Sequence, residues 1–254
     1  MVSLYLQTLL AMLALGVVTW LLSMFKRDVS IVDSIWSLMF LAAAIVYLFH
    51  NQPVGQREIV VFSLVLIWAL RLAAYLTWRN WGQPEDSRYQ QIREKYSPNF
   101  ALKSLVIIFV FQAIIAWLVS LPLLVTLAST QAFSMLDGVA ILLWLVGMGF
   151  ETIADSQLHR FKSNPDNKGK VLDSGLWRYS RHPNYFGEFC IWWGFYLFAV
   201  TSGGWWTILS PLLMSFLLLR FSGVALLEKD IHERRPAYRA YITRTNAFIP
   251  GKPR

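Results

Sequence analysis

Apolar residues fall into seven runs along the chain, at 2–25, 31–49, 59–78, 104–127, 135–155, 187–201 and 205–227, each bounded by polar or charged positions. A helix needs about 20 predominantly apolar residues to cross a hydrocarbon core about 30 Å thick. The pattern therefore predicts an all-α integral membrane protein with about seven transmembrane helices. The sixth run is short and rich in aromatics, among them Trp192, Trp193, Phe195, Tyr196 and Phe198. It either tilts, starts inside a protein-lined cavity, or forms a hairpin with the seventh run through residues 201–204.

Composition agrees: of 254 residues 56% are hydrophobic and 15% charged, far fewer charges than a soluble domain carries. One membrane domain, 1–254, accounts for the chain. The net charge of +8 admits nucleic acid as a partner until its placement is considered. Alternate inter-span segments collect 20 Lys and Arg against 1, which predicts an N-terminus outside and a cytoplasmic C-terminus. The basic excess is thus topological, and nucleic acid drops out. The positive charge of the first run follows its apolar stretch, so this run is expected to be a helix and not a signal peptide. The one cysteine, Cys190, forms no internal disulfide, and no Cys/His spacing suits a metal. No obligate protein partner is indicated.

An ionisable side chain at bilayer depth is costly and normally faces a cavity or a partner. Seven stand in or beside the apolar runs: Asp33, Arg71, Glu151, Asp155, Glu188, Arg220 and Glu228. The topology lets several converge on a polar pocket open to the cytoplasm, while ion pairing between helices is the plainer alternative for each. Glu151 and Asp155 share one helical face at i, i+4, as do Arg71 and Tyr75. The loop 156–186 interleaves Arg160, Lys162, Lys168, Lys170, Arg178 and Arg181 with glycine, asparagine and aromatic residues. Phosphates want basic groups and backbone donors, and a flat heterocycle wants an aromatic or guanidinium face. His182, beside Pro183, is expected to order the loop and not to act as a base. No GxGxxG, Walker, GxSxG or HExxH pattern occurs. The stretch 228–241 is amphipathic and expected on the membrane surface.

Within 151–250 the motif G-L-W-R-Y-S-R-H-P-N-Y-F-G-E, a Trp-rich span, Arg220, L-L-E, R-P-A-Y-R-A-Y and a final F-I-P stand in order. Together they resemble the steroid 5α-reductase-like superfamily, which includes sterol C14 reductases and, more distantly, isoprenylcysteine carboxyl methyltransferases. V-D-S-I-W, W-A-L-R-L and E-D-S-R-Y in 31–89 look like its bacterial branch, which implies a bacterial inner membrane. The resemblance implies NADPH held by Asp155, Lys162, Lys170, Asn184, Glu188, Trp192 and Arg220, with Glu151 where those reductases have asparagine. Arg181, His182, Tyr185 and Glu228 join this set through the shared motif. The resemblance of these C-terminal motifs further implies a substrate side in residues 1–150 and a cofactor side in 151–254. In the reductases a glutamate on the second span and a tyrosine on the third polarise the substrate. Here Asp33 stands for the former, while Trp68 occupies the place of the tyrosine.

The expected function is transfer of hydride from NADPH to an activated C=C bond of a lipid-like substrate (steroid, polyprenyl or enoyl) drawn from the bilayer and its membrane lipids. Asp33 is the candidate acid, with Arg71 or Tyr75 as neighbours, because charge develops on the substrate carbonyl oxygen during hydride attack. An Asp33–Arg71 ion pair is the structural alternative, as is a Glu188–Arg220 pair. The rival function is methyl transfer from S-adenosylmethionine, and a third reading is a non-enzymatic scaffold or transporter.

Overall fold

A computed structural model describes residues 1–50, 53–221, 223–228 and 236–254, and every regular element among them is helical. The chain folds into two compact units: residues 1–133 with 202–204, and residues 134–201 with 205–254. Five helices are long and apolar enough to cross a membrane, and the protein is accordingly a multi-pass, membrane-type helical protein.

The first unit holds α1 (Val2–Lys26), α2 (Ile31–His50), α3 (Gln56–Asn80), the short polar α4 (Ser87–Lys95), α5 (Phe100–Val119) and α6 (Leu121–Leu127). α1 stops because Arg27 takes a left-handed conformation (φ 53°), and the Asp28 carboxylate then accepts from the Ser30 amide at 2.8 Å as the chain turns into α2. α4 starts at Asp86, whose side chain accepts from the Arg88 amide at 2.9 Å. The apolar run 104–127, expected as one span, is two helices. Pro122 sits in the first turn of α6, where its missing N–H costs nothing, and it cannot continue the preceding ladder. α5 also contains a π-helical segment, Leu105–Val110. Inside the unit the Ser37 hydroxyl donates to the Ala69 carbonyl at 2.9 Å and Phe40 meets Trp68 edge-on, which seals α2 to α3.

The second unit holds α7 (Met135–Ser163), α8 (Pro183–Thr201), α9 (Trp205–Phe221, opening as a 3-10 turn and closing as a π turn), α10 (Val224–Glu228) and α11 (Tyr238–Arg244). α7 opens on a capping box: Ser134 and Asp137 satisfy each other's backbone amides at 2.8 and 3.3 Å. Residue 150, where the sequence reading divides substrate side from cofactor side, lies within this helix. α8 begins at Pro183, four residues before the expected start, since proline at the first helical position brings a pre-set φ. The expected sixth and seventh spans are therefore present as helices, but neither is among the five that qualify by length and apolarity. Residues 229–235 of the expected amphipathic stretch lie outside the described residues.

α7 and α8 are pressed together. A Cβ on Gly147 would lie 2.5 Å from the Gly187 carbonyl oxygen, and one on Gly187 would lie 2.5 Å from the Gly147 carbonyl oxygen and 2.6 Å from the Glu151 nitrogen. Glycine is required at both places, because only backbone that close lets the acidic face of α7 meet the start of α8.

Candidate functional site

In the second unit the Gly147–Gly187 crossing gathers the acidic residues expected to hold a ligand. Glu151 and Asp155 on α7 and Glu188 on α8 are 4, 4 and 6% exposed. The Asn184 side-chain amide donates to Asp155 Oδ1 at 3.2 Å, and Trp192, fully buried, donates its indole N–H to Glu188 Oε1 at 2.9 Å one turn along. Five of the expected residues thus form one seam between two helices, four of them buried and Asn184 half-buried. Lys162 and Lys170 are exposed, on the end of α7 and on the loop after it. Arg220 is exposed, in the π turn that ends α9, and Glu188 takes its hydrogen bond from Trp192. The expected Glu188–Arg220 pair is corrected to this contact.

Arg181, His182 and Glu228 come together in a different way. Arg181 is buried and grips the Glu228 carboxylate with two bonds, Nε to Oε1 at 2.7 Å and a terminal nitrogen to Oε2 at 2.8 Å. Its other terminal nitrogen donates to the carbonyls of Thr245 at 2.6 Å and Ile242 at 3.2 Å. His182 Nε2 lies 2.9 Å from Glu228 Oε1, and its ring stacks on Tyr185 at 5.6 Å. Burial alone would push the Glu228 carboxyl up, but the bonds from His182 and Arg181 and the guanidinium charge bring it down to about 2. Burial likewise pushes the phenols of Tyr238 and Tyr241 up. The C-terminal tail closes over this pair: the Arg181 amide donates to Asn246 O at 2.9 Å, Ser180 Oγ to Phe248 O at 2.7 Å and the Gly251 amide to Tyr179 O at 3.0 Å. The Tyr241 hydroxyl donates to Trp177 O. The loop is also held from α7, where Gln157 accepts from the Leu176 amide at 3.0 Å beside Gly175, whose φ of 58° suits glycine. Sequence reasoning missed Gln157, Tyr241, Thr245 and Asn246. The R-P-A-Y-R-A-Y and F-I-P motifs were the available signal, since they place polar side chains and free carbonyls just beyond α10.

In the first unit Asp33 is an acceptor for two side chains of α4. A terminal nitrogen of Arg88 donates to Oδ2 at 2.9 Å, and the Tyr89 hydroxyl donates to Oδ1 at 2.5 Å. Gln112 of α5 donates to the Tyr89 oxygen at 3.1 Å. Burial first, and then the charge of Asp33, push the Tyr89 phenol well above its ordinary value, so it remains a donor. For Arg88, desolvation is outweighed by Asp33 and Asp86, which raise it. A second pair, Arg93 with Glu85 at 2.7 Å, ties α4 to the α1–α2 turn through the Val29 amide, which donates to Glu85 at 2.9 Å. The expected Asp33–Arg71 pair is replaced by Asp33–Arg88. Arg88 lies beyond the third span on α4, and that helix folds back over the start of α2. Arg71 instead lies over the Tyr75 ring at 5.3 Å, with Arg79 over the same ring at 5.7 Å. E-D-S-R-Y carried the signal for both missed partners, Arg88 and Tyr89.

Residues 19–245 match the family described as "Protein of unknown function (DUF1295)", and the chain belongs to that family. It is similar to an uncharacterized protein of Schizosaccharomyces pombe, C594.04c, with 29% identity over 274 aligned positions that cover 95% of this chain and 78% of the other. No solved structure matches the chain.

Proposed function

We propose that this chain is a membrane-embedded, NADPH-dependent reductase of the steroid 5α-reductase-like type, which adds hydride to an activated C=C bond of a lipid-like substrate. In this reading its N-terminus is outside, its C-terminus is cytoplasmic, and a bacterial inner membrane is the setting implied by the resemblance. The observation that carries the reading is the seam of Glu151, Asp155, Asn184, Glu188 and Trp192, all but Asn184 buried, on two helices whose facing ends and connecting loop carry exposed cations. Carboxyl oxygens accept hydrogen bonds, so they suit the amino, carboxamide and ribose hydroxyl groups of a dinucleotide, while Lys162 and Lys170 suit its phosphates. The residues present therefore fit the cofactor. When bound, NADPH supplies the hydride.

On the substrate side the Asp33–Tyr89 contact provides the acid-and-phenol pair whose tyrosine is absent from position 68. Tyr89 is a phenol held neutral with its one proton on Asp33 Oδ1, and it serves a substrate oxygen only when that hydroxyl turns away from Asp33, which Arg88 holds in place. A donor aimed at a carbonyl oxygen stabilises the charge that builds there during hydride attack. Arg71 and Tyr75 stand farther along α3 as groups that line the approach of the substrate.

A second reading, methyl transfer from S-adenosylmethionine, is favoured by the same three buried carboxylates, because that ligand carries an ammonium and a sulfonium. Mass spectrometry of the small molecules that co-purify after gentle detergent extraction separates the two. NADPH or NADP⁺ supports the reductase, and S-adenosylmethionine or its demethylated product overturns it.

A further inference from the structure

Three indoles are buried along the helix pair that carries the acidic seam. Trp177 donates to the Ala154 carbonyl at 3.1 Å, and Trp192 donates to Glu188 Oε1 at 2.9 Å. The third, Trp144 on α7, is 3% exposed, and its Nε1–H is buried with no hydrogen-bond partner among the described residues. An indole nitrogen is a donor only. A buried donor left unsatisfied costs free energy that an apolar ring of the same shape would not, so it calls for an acceptor brought from outside the helix pair.

The position of Trp144 narrows what that acceptor is. On α7 it continues the buried stripe of Glu151 and Gly147 at steps of four and three residues, and Asp155 stands one turn beyond Glu151. α8 runs antiparallel to α7. Gly187 meets Gly147, and a Cβ on Gly194 would lie 3.3 Å from the Trp144 backbone nitrogen and 3.4 Å from its Cβ. Trp144 is thus level with the stretch of α8 that carries Trp192, about 16 Å along α7 from Asp155 at 1.5 Å per residue. Lys162, which is exposed, lies beyond Asp155 at the opposite end of that stripe. The carboxyl groups between are acceptors, and the donors Asn184 and Trp192 are engaged with Asp155 and Glu188.

The geometry points to Trp144 as the residue that donates to the carboxamide oxygen of the nicotinamide ring, an inference that rests on the reductase reading. A carboxamide joins a carbonyl acceptor to an N–H donor group. Ionised carboxylates serve its N–H half and cannot serve its carbonyl, whereas the indole N–H can. With the phosphates toward the cations and the ring toward the other end of the stripe, the two halves of the carboxamide find both kinds of partner. Trp144 accordingly selects for a ring that carries a carbonyl acceptor.

The test places benzothienylalanine at position 144 of the full-length, detergent-purified protein, since it has sulfur where tryptophan has N–H and nearly the same shape. Dissociation constants are measured by isothermal titration for NADP⁺, for its acetylpyridine analogue, which keeps the carbonyl and lacks the NH₂, and for 2′-phospho-ADP-ribose, which lacks the ring. The replacement should weaken NADP⁺ and the acetylpyridine analogue by about tenfold each, the scale of one buried hydrogen bond. Binding of 2′-phospho-ADP-ribose should stay within about twofold, and the free protein should melt no lower than the parent, because an unsatisfied donor has been removed. Trp144→Phe should show the same ligand pattern. Equal NADP⁺ affinity in parent and replacement, an equal loss for 2′-phospho-ADP-ribose, or a lower melting temperature of the free replaced protein would overturn the assignment while leaving the reductase reading intact. A parent that binds none of the three would overturn both.

Discussion

The Tyr89 hydroxyl donates to Asp33 Oδ1 across 2.5 Å, bringing a helix that follows the third span back onto the start of the second. The phenol is buried and stays protonated, and the carboxylate is anchored on its other oxygen by Arg88 at 2.9 Å. On the reductase reading, Tyr89→Phe and Asp33→Asn should each slow NADPH consumption with an accepted enone by about 10²–10⁴-fold, the usual range for a positioned acid. NADPH affinity should stay within about twofold. If turnover is unchanged in Tyr89→Phe, this contact only docks α4 on α2.

The clamp on the C-terminal tail should fail in acid. Glu228 ionises at about 2 in the fold against an ordinary 4.5, so its ion pair contributes full stability above pH 4.5 and loses it as the pH falls from 4.5 toward 2. Protection of the amides in 236–254, measured as exchange relative to the intrinsic rate at each pH, should fall over that window, and Glu228→Gln should remove this loss of protection. Arg181→Ala, which strands the carboxylate in a largely buried place, should cost about 3–5 kcal/mol. Protection factors in the tail that stay constant between pH 4.5 and 2 would contradict the clamp.

Two glycines of α7 make a matched pair. Gly147→Ala must push a Cβ into the Gly187 carbonyl oxygen at 2.5 Å, whereas a Cβ on Gly149 meets nothing within 4 Å. Gly147→Ala should destabilise the protein by about 1–3 kcal/mol or more and weaken ligand binding in the seam. Gly149→Ala should be neutral or stabilising by roughly 0.5–1 kcal/mol, the ordinary gain of alanine over glycine in a helix. Thermal unfolding of the two variants side by side decides it.

Terminal topology checks the charge pattern. Five spans and seven spans are both odd, so either places the ends on opposite sides. With 20 of the inter-span Lys and Arg on one set of segments against 1 on the other, an N-terminal tag should react with an impermeant reagent from outside and a C-terminal tag only after lysis. Both tags reactive on one side would require an even count and remove either α8 or α9 from the set of crossing helices.

The long helices were legible because an apolar run of span length has few other uses, and Asp155, Asn184 and Glu188 were legible because they sit in a compact motif. The rest was hidden by distance along the chain. Arg88 is 55 residues from Asp33, and Glu228 is 47 from Arg181, so no local period links either pair. The division at Ser120 was visible as Pro122 but was outweighed by uninterrupted apolarity on both sides. The close approach of Gly147 to Gly187 leaves no trace in hydropathy, because glycine counts for its absence of a side chain and the partner helix is not named in the run itself.

The most direct measurement is the melting temperature of the purified protein with NADPH, NADH or S-adenosylmethionine, for the parent and for Asp155→Asn. A ligand that binds the native state stabilises it by RT ln(1 + [L]/Kd), about 2.7 kcal/mol at a hundredfold excess over Kd. NADPH should raise the melting temperature of the parent more than NADH does, Lys170→Ala should erase that difference, and Asp155→Asn should lose most of the NADPH effect while melting near the parent without ligand. Stabilisation by S-adenosylmethionine with none from NADPH would contradict the reductase reading.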